Sequence, residues 1–149
     1  MSVGVVLFVC LVAFATTEVE SLSPSWEKNN LIPKEIRPLS YDILVDPDLD
    51  EGTFKGEVTI EFNLTATRDE WLPVHIKNLN ITQTIMTDNK GNEVNIKETF
   101  EYPKNNFWVM KTDVIQPDLY KLHMKFHGSL VQSLVGFYRS VYHENGTNR

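Results

Sequence analysis

The sequence predicts an all-β chain, built as an antiparallel β-sandwich or a saddle-like sheet with almost no helix. Residues 54–65 alternate strictly between apolar and polar side chains, the period of a strand with one buried face. No stretch of ten or more residues carries the apolar stripe of an amphipathic helix. The Gly- and Asn-rich segment Asp88–Asn92 is typical of a hairpin turn between two strands.

Five segments carry the alternation on which this prediction rests. In residues 54–65 the even positions are apolar or Gly and the odd positions are polar. Because successive side chains of a strand point to opposite faces, one face of this strand is predicted to be buried and the other solvated. The same alternation occurs in Tyr41-Ile43-Val45, Leu72-Val74-Ile76, Val94-Ile96 and Tyr120-Leu122-Met124-Phe126.

Prolines fall mostly between these alternating segments, where a missing N–H group costs no hydrogen bond of a sheet. Pro73 is the exception, because it lies within the Leu72–Ile76 segment. It predicts an edge strand or the start of a strand.

The first fifteen residues are typical of a secretory signal peptide. Their apolar core, Val3–Ala15, is shorter than the roughly 20 residues that cross a bilayer, and Ala13-Phe14-Ala15 has the small-x-small pattern of a cleavage site. We expect cleavage between Ala15 and Thr16. Since no Lys or Arg precedes the apolar core, an uncleaved membrane anchor stays as an alternative.

Beyond residues 1–15, the chain divides into a polar, flexible lead-in at 16–30 and a single domain at 31–149. The one cysteine, Cys10, lies in the signal peptide, so the mature chain is predicted to contain no disulfide. The net charge of −6 and the lack of a basic cluster argue against nucleic-acid binding.

His123 and His127 have the spacing that brings two imidazoles to one zinc ion on a helix. Met124 stands where a metallopeptidase needs its general-base Glu. The segment also alternates as a strand, which places the two histidines about 13 Å apart on the polar face, too far for shared zinc ligation. We therefore predict no metal site and no catalytic residue in this chain. The Asp42–Asp50 acidic segment lacks the Gly and Glu of a calcium loop and is predicted to be a solvated turn.

Three N-x-Ser/Thr motifs predict N-glycosylation at Asn63, Asn80 and Asn145. A signal peptide would deliver the chain to the compartment in which glycosylation occurs. The alternation turns Asn63 and Asn80 outward between apolar neighbours, so both are predicted to be accessible.

Several segments resemble the opening of aminopeptidase N-type enzymes of the gluzincin class, in order and in spacing, from about Leu31 to Gly146. The segments are Leu31-Ile32-Pro33, Pro38-Leu39-Ser40-Tyr41-Asp42-Ile43, Asp46-Pro47-Asp48-Leu49, Gly52-Thr53-Phe54-Lys55-Gly56, Val74 to Ile81, Tyr120-Lys121-Leu122, Gly128 and Gly136-Phe137-Tyr138-Arg139-Ser140-Val141-Tyr142.

The resemblance implies a non-catalytic, saddle-shaped β domain that packs against a downstream thermolysin-like catalytic domain. In that family the zinc ligands, the general-base Glu, the Gly-Ala-Met-Glu-Asn motif and a substrate-binding Gln lie beyond Arg149, so no site residue is carried over to this chain. The domain would be incomplete at Arg149. The full-length family uses one zinc ion to remove N-terminal residues from peptides.

Two functions stay open at this point. The chain is expected to be a fragment of a secreted or cell-surface zinc aminopeptidase, located at the extracellular side of the membrane. The alternative is a free-standing secreted β module that binds a protein or a glycan and has no enzymatic activity. An autonomous enzyme is disfavoured, because no converging acid–base or metal-binding residues are found in the sequence.

Overall fold

A computed structural model describes residue 27 and residues 30–68, 71–130, 140, 143–144 and 147–148. The predicted signal peptide, most of the predicted lead-in, Asn145 and most of the Gly136–Tyr142 stretch lie outside these described residues.

Strands make up most of the described chain, and the prediction of an all-β, antiparallel fold with almost no helix is confirmed. In chain order the elements are β1 (Ile36–Asp48), β2 (Thr53–Leu64), β3 (Trp71–His75), β4 (Leu79–Asp88), β5 (Ile96–Tyr102), a 3₁₀ turn (Pro103–Asn105), β6 (Phe107–Thr112), β7 (Asp118–Ser129), β8 (His143–Glu144) and β9 (Thr147–Asn148).

The strictly alternating segments form the centre of a four-stranded antiparallel sheet with the order β1-β2-β7-β4. All twelve residues of β2 pair with the twelve residues of β7 in one continuous register. Because directly opposite residues share a face, the even positions of both strands build one apolar face. Phe62 and Tyr120, for example, are opposite each other and stack with their ring centroids 5.6 Å apart.

A second antiparallel sheet has the order β3-β6-β5. Its central strand β6 is buried on both faces, as Phe107, Val109 and Met110 are 1% exposed or less. Pro73 lies in β3 at the edge of this sheet, so the predicted edge position is confirmed. The two-stranded pair of β8 and β9 is separate from both sheets.

The two larger sheets share one hydrophobic core. Leu64, Met86 and Leu122 from the four-stranded sheet pack with Leu72 and Met110 from the three-stranded sheet. A hydrogen bond also joins the sheets, since the Trp108 indole N–H donates to the Thr84 hydroxyl at 3.1 Å. The sheets therefore form a sandwich whose interior is the apolar face described above.

Each outer strand of the four-stranded sheet contains a β-bulge, one in β1 between Pro38 and Ser40 and one in β4 between Ile81 and Gln83. The extra residues are Leu39 and Thr82, and each reverses which positions face the core. In β1 the core-facing side changes from even to odd positions, because Pro38 pairs with Phe62 whereas Tyr41 pairs with Ile60.

Pro38 and Pro47 lie outside the alternating residues 41–45, as expected, but β1 extends past those residues and includes both prolines. The physical reason is that β1 is an edge strand. An edge strand tolerates proline where its N–H would point away from the neighbouring strand.

The turn predicted at Asp88–Asn92 is present at the end of β4. The Asp88 N–H donates to the Asn92 carbonyl at 2.9 Å, and Gly91 has a left-handed φ of 83°. The Asp88 carboxylate accepts hydrogen bonds from the Asn92 side chain and from the backbone N–H groups of Asn92 and Lys90. These bonds, the Asn92 side chain first, hold the pKa of Asp88 below its usual value.

Gly56 of β2 lies opposite Phe126 of β7, and its lack of a side chain allows the Phe126 ring to pack over β2. A Cβ atom at Gly56 would come within 2.7 Å of the Phe126 ring and of the Leu44 carbonyl oxygen. The ring could shift, but a backbone oxygen inside a paired strand has little freedom. A side chain of any size is therefore disfavoured at this position.

We expect Gly56→Ala to destabilise the chain by about 1–3 kcal/mol, the usual cost of overpacking. Chemical denaturation monitored by circular dichroism measures the effect. Lys55→Ala is the matched control, since this neighbouring position of β2 is exposed. Equal unfolding midpoints for the two variants would contradict the close packing of Phe126 over Gly56.

Candidate interaction surface

Three apolar side chains of β1 are on the core-facing side of the four-stranded sheet and still reach solvent. Tyr41, Ile43 and Val45 lie opposite core-facing positions of β2, yet they are 57%, 58% and 38% exposed. We call these three residues the β1 strip. Within the four-stranded sheet, the shared core takes its buried residues from β2, β4 and β7, whereas β1 contributes only Ile36 at its beginning.

The strip is uncovered because the second sheet has three strands against four. The core cluster joins residues of β3 and β6 to residues of β2, β7 and β4, and Trp108 of β6 reaches Thr84 of β4 by a hydrogen bond. The side of β1 that faces the core is therefore left without a matching strand above it.

A cavity of about 170 Å³ opens between the strip and the edge strand β3. Its walls are mostly apolar, and Tyr41 lies on the β1 side of the cavity with Ile36 and Pro38. Its other lining residues include Ile60, Phe62, Val74, Met110 and Leu122. The strip and the cavity together form a continuous apolar surface that a partner chain could cover.

The opposite face of the four-stranded sheet is polar and carries His123. Thr59 Oγ1 and His123 Nδ1 are 3.1 Å apart, and Glu57 Oε2 lies 3.8 Å from His123 Nε2 and 3.9 Å from Lys125 Nζ. The Thr59 hydroxyl, the His123 imidazole and the Glu57 carboxylate follow one another in the order of the groups of a catalytic triad. However, the His123–Glu57 distance exceeds that of a hydrogen bond, and both side chains are about one-third exposed. We interpret the group as a surface network that joins β2 to β7.

His123 and His127 both lie on strand β7, as predicted from the alternation of this segment. Four residues of a strand separate them by about 13 Å. His127 Nε2 instead contacts the Asn80 side-chain amide at 2.9 Å. Among the residues that the structure describes, no three His, Cys, Asp or Glu side chains are grouped as a metal site would require.

Two of the predicted glycosylation acceptors can be placed. Asn63 is half-buried and lies opposite Arg37 on one side and Leu119 on the other, and Asn80 is exposed opposite His127. Both belong to the polar face of the four-stranded sheet, opposite the β1 strip.

Sequence reasoning did not identify the β1 strip as a surface. The alternation of Tyr41, Ile43 and Val45 correctly indicates the face of the sheet, but it cannot show that the second sheet ends before reaching β1. The solvated turn predicted at Asp42–Asp50 is present only after Asp48, because Asp42 and Asp46 lie within strand β1. The Asp48 carboxylate accepts the backbone N–H groups of Asp50 and Glu51. In the part of the chain that the structure describes, there is no helix of the length and hydrophobicity needed to span a membrane.

Comparison with known proteins identifies this sandwich. Residues 37–149 match the sequence model of the Peptidase M1 N-terminal domain. The chain is 40% identical over 134 residues to human glutamyl aminopeptidase, covering 85% of the chain. It is 33% identical over 125 residues to aminopeptidase A of Gloydius brevicauda and 28% identical over 127 residues to aminopeptidase 2 of Candida albicans, covering 81% and 83% of the chain. The matched region spans only 14%, 13% and 13% of these three relatives. With most of its length matched, the chain belongs to the Peptidase M1 N-terminal domain family.

Proposed function

We propose that this chain is the non-catalytic N-terminal β domain of a secreted or cell-surface zinc aminopeptidase. Its role would be to pack against the remaining polypeptide through the β1 strip and the adjoining cavity. The observation that carries this proposal is that an apolar part of the sheet's core face is exposed, since a domain of a larger protein buries such a surface against its neighbour. The relatives are about seven times longer than the matched region, so they contain ample further chain.

The packing can be tested with a single introduced cysteine. Ile43→Cys should react readily with a maleimide in the chain of 149 residues and slowly in a longer chain that includes the following sequence. Lys121→Cys, on the polar face of β7, is the control and should react equally in both chains. Equal labelling of Ile43→Cys in the two chains would contradict the proposed contact.

The zinc chemistry of the complete enzyme would reside outside this chain. His123 and His127 lie on the polar face of β7, and their separation of about 13 Å along the strand is too large for both to ligate one zinc ion. The general acid–base groups and the zinc ligands would therefore come from the remaining polypeptide.

We expect the purified chain to hold no stoichiometric zinc and to release no amino acid from peptide substrates. Elemental analysis after dialysis and an aminopeptidase assay measure these two properties. One equivalent of zinc that disappears in His123→Ala would overturn the expectation, and His75→Ala serves as the control for an unrelated exposed histidine.

We expect secreted material to begin near Thr16 and to carry glycans at Asn63 and Asn80. The physical reason is that both side chains point away from the core, on a face that the proposed contact leaves free. Intact-mass analysis of the N-terminus and peptide mapping test the two statements. Asn145, the third acceptor, would be mapped in the same experiment. Recovery of an intact Met1 in a membrane fraction would favour the anchor, and an unmodified Asn63 would contradict its accessibility.

A further inference from the structure

A groove of about 440 Å³ crosses the polar face of the four-stranded sheet from β4 to β1, and we call it the polar-face groove. Two rows of residues that are paired across the strands form its walls. One row is His127, Lys55 and Asp46, and the next is Lys125, Glu57 and Leu44. The pair between the rows, Gly56 and Phe126, presents no side chain on this face and forms the floor.

The Asn80 side chain lies at the β4 end of this groove and points across the sheet. β4 is an outer strand among the described strands, so a side chain there has room to extend beyond the sheet. The Asn80 amide nitrogen instead donates to His127 Nε2 on the neighbouring strand, at 2.9 Å. Because His127 lines the groove, the nitrogen to which an N-glycan is attached lies at the mouth of the groove.

The β-bulge of β4 brings the third residue of the same acceptor motif to the groove. Asn80 pairs with His127 and Gln83 pairs with Lys125, and Thr82 is the extra residue before Gln83. Thr82 therefore also lines the groove, and its hydroxyl donates to the Lys125 carbonyl at 3.2 Å. Both polar positions of the motif Asn80-Ile81-Thr82 thus border one groove.

The chemistry of the groove suits a neutral sugar. Two lysines and two carboxylates, Asp46 and Glu57, line it, so the formal charges cancel apart from the imidazole. The ammonium groups donate hydrogen bonds and the carboxylates accept them, and a sugar hydroxyl does both. The methylene stems of Lys55 and Lys125 and the 62% exposed Leu44 offer apolar surface to the C–H groups of a sugar ring.

We propose that Asn80 carries an N-glycan whose first sugars lie in the polar-face groove and stabilise the sheet. The inference rests on the proposed function, because only a secreted chain reaches the compartment in which glycans are attached. In the transfer, the Asn80 amide nitrogen loses one proton and bonds to the anomeric carbon of an oligosaccharide held on a lipid pyrophosphate. The bond from that carbon to the pyrophosphate oxygen breaks, and the oxygen keeps the electron pair. One N–H remains on Asn80 to donate to His127.

Enzymatic deglycosylation without denaturation tests the position of the glycan, in the secreted longer chain. An amidase that releases N-glycans converts each released Asn to Asp, so mass spectrometry follows Asn80 and Asn63 separately. We expect Lys125→Ala and His127→Ala each to speed release at Asn80 by about tenfold, as for the loss of one hydrogen bond. Release at Asn63, which does not line the groove, should stay unchanged. Lys121→Ala is the matched control, because Lys121 is an exposed lysine on the same face of β7 outside the groove.

Thermal melting gives a second readout. Removal of the glycans should lower the melting temperature of the unmodified chain and of Lys121→Ala by more than that of Lys125→Ala. Equal release rates at Asn80 in Lys125→Ala and Lys121→Ala, or secreted protein unmodified at Asn80, would overturn the inference. Slow maleimide labelling of Lys55→Cys that persists after glycan removal would also overturn it, in favour of a polypeptide segment in the groove. Labelling of Ile43→Cys tests the proposed packing independently of these results.

Discussion

A chain that continues past Arg149 into the following sequence of its polypeptide is expected to be far more stable than residues 16–149 alone. Covering roughly 400 Å² of apolar surface at about 25 cal/mol per Å² contributes on the order of 10 kcal/mol of gross burial. A whole domain has a net stability of about 5–15 kcal/mol. The single cysteine lies in the predicted signal peptide, so no disulfide is expected to offset the exposed surface in the mature chain. The shorter chain should therefore be marginally folded, dye-binding or oligomeric.

Size-exclusion chromatography and thermal melting of the two chains in one buffer measure this difference. The β1 strip gives the comparison a local control: Ile43→Ser should reduce dye binding by the shorter chain and should destabilise only the longer one. A monomeric, cooperatively melting short chain that is as stable as the long one would contradict the fragment interpretation. The free-standing binding module would then be the better account.

Leu122→Ala is expected to destabilise the sandwich by about 2–5 kcal/mol, the usual cost of truncating a buried leucine. Leu122 is 1% exposed, and it lies on β7 opposite Ile60 on one neighbouring strand and Met86 on the other. Its neighbours are held by paired strands on both sides, so the core can collapse only partly into the space left behind.

Urea denaturation measures this loss, with Lys121→Ala as the control at the adjacent exposed position. The control should change the free energy of unfolding by less than about 0.5 kcal/mol. A Leu122→Ala variant as stable as its control would show that the two sheets do not pack around this residue.

The sequence predicts the strands with one buried face. β2 and β7 pair over their whole length without a bulge, so their alternation is uninterrupted and identifies both the strand and its core face. The segment 88–92 is predictable for a related reason, because Gly91 and the neighbouring Asp and Asn residues suit the backbone of a turn.

Other features depend on contacts that a single strand does not encode. β6 is buried on both faces, so Phe107 to Thr112 shows no alternation and no strand is predicted there. β5 is predicted only at its beginning, where Ile96 belongs to the alternating segment. The exposure of Tyr41, Ile43 and Val45 follows from the width of the opposite sheet, a property of the three strands that form it.

The bulges at Leu39 and Thr82 bear on how this domain is aligned with its relatives. At each bulge the apolar and polar positions exchange phase, so a relative with a regular strand at that place would be one residue shorter and would keep the same core. Single-residue gaps at these two places are then expected in correct alignments. A single-residue gap within β2 or β7 would instead exchange the core-facing and solvent-facing positions over the rest of that strand. Both bulges lie in strands with one neighbour among the described strands, where a change of length during evolution disturbs the fewest contacts.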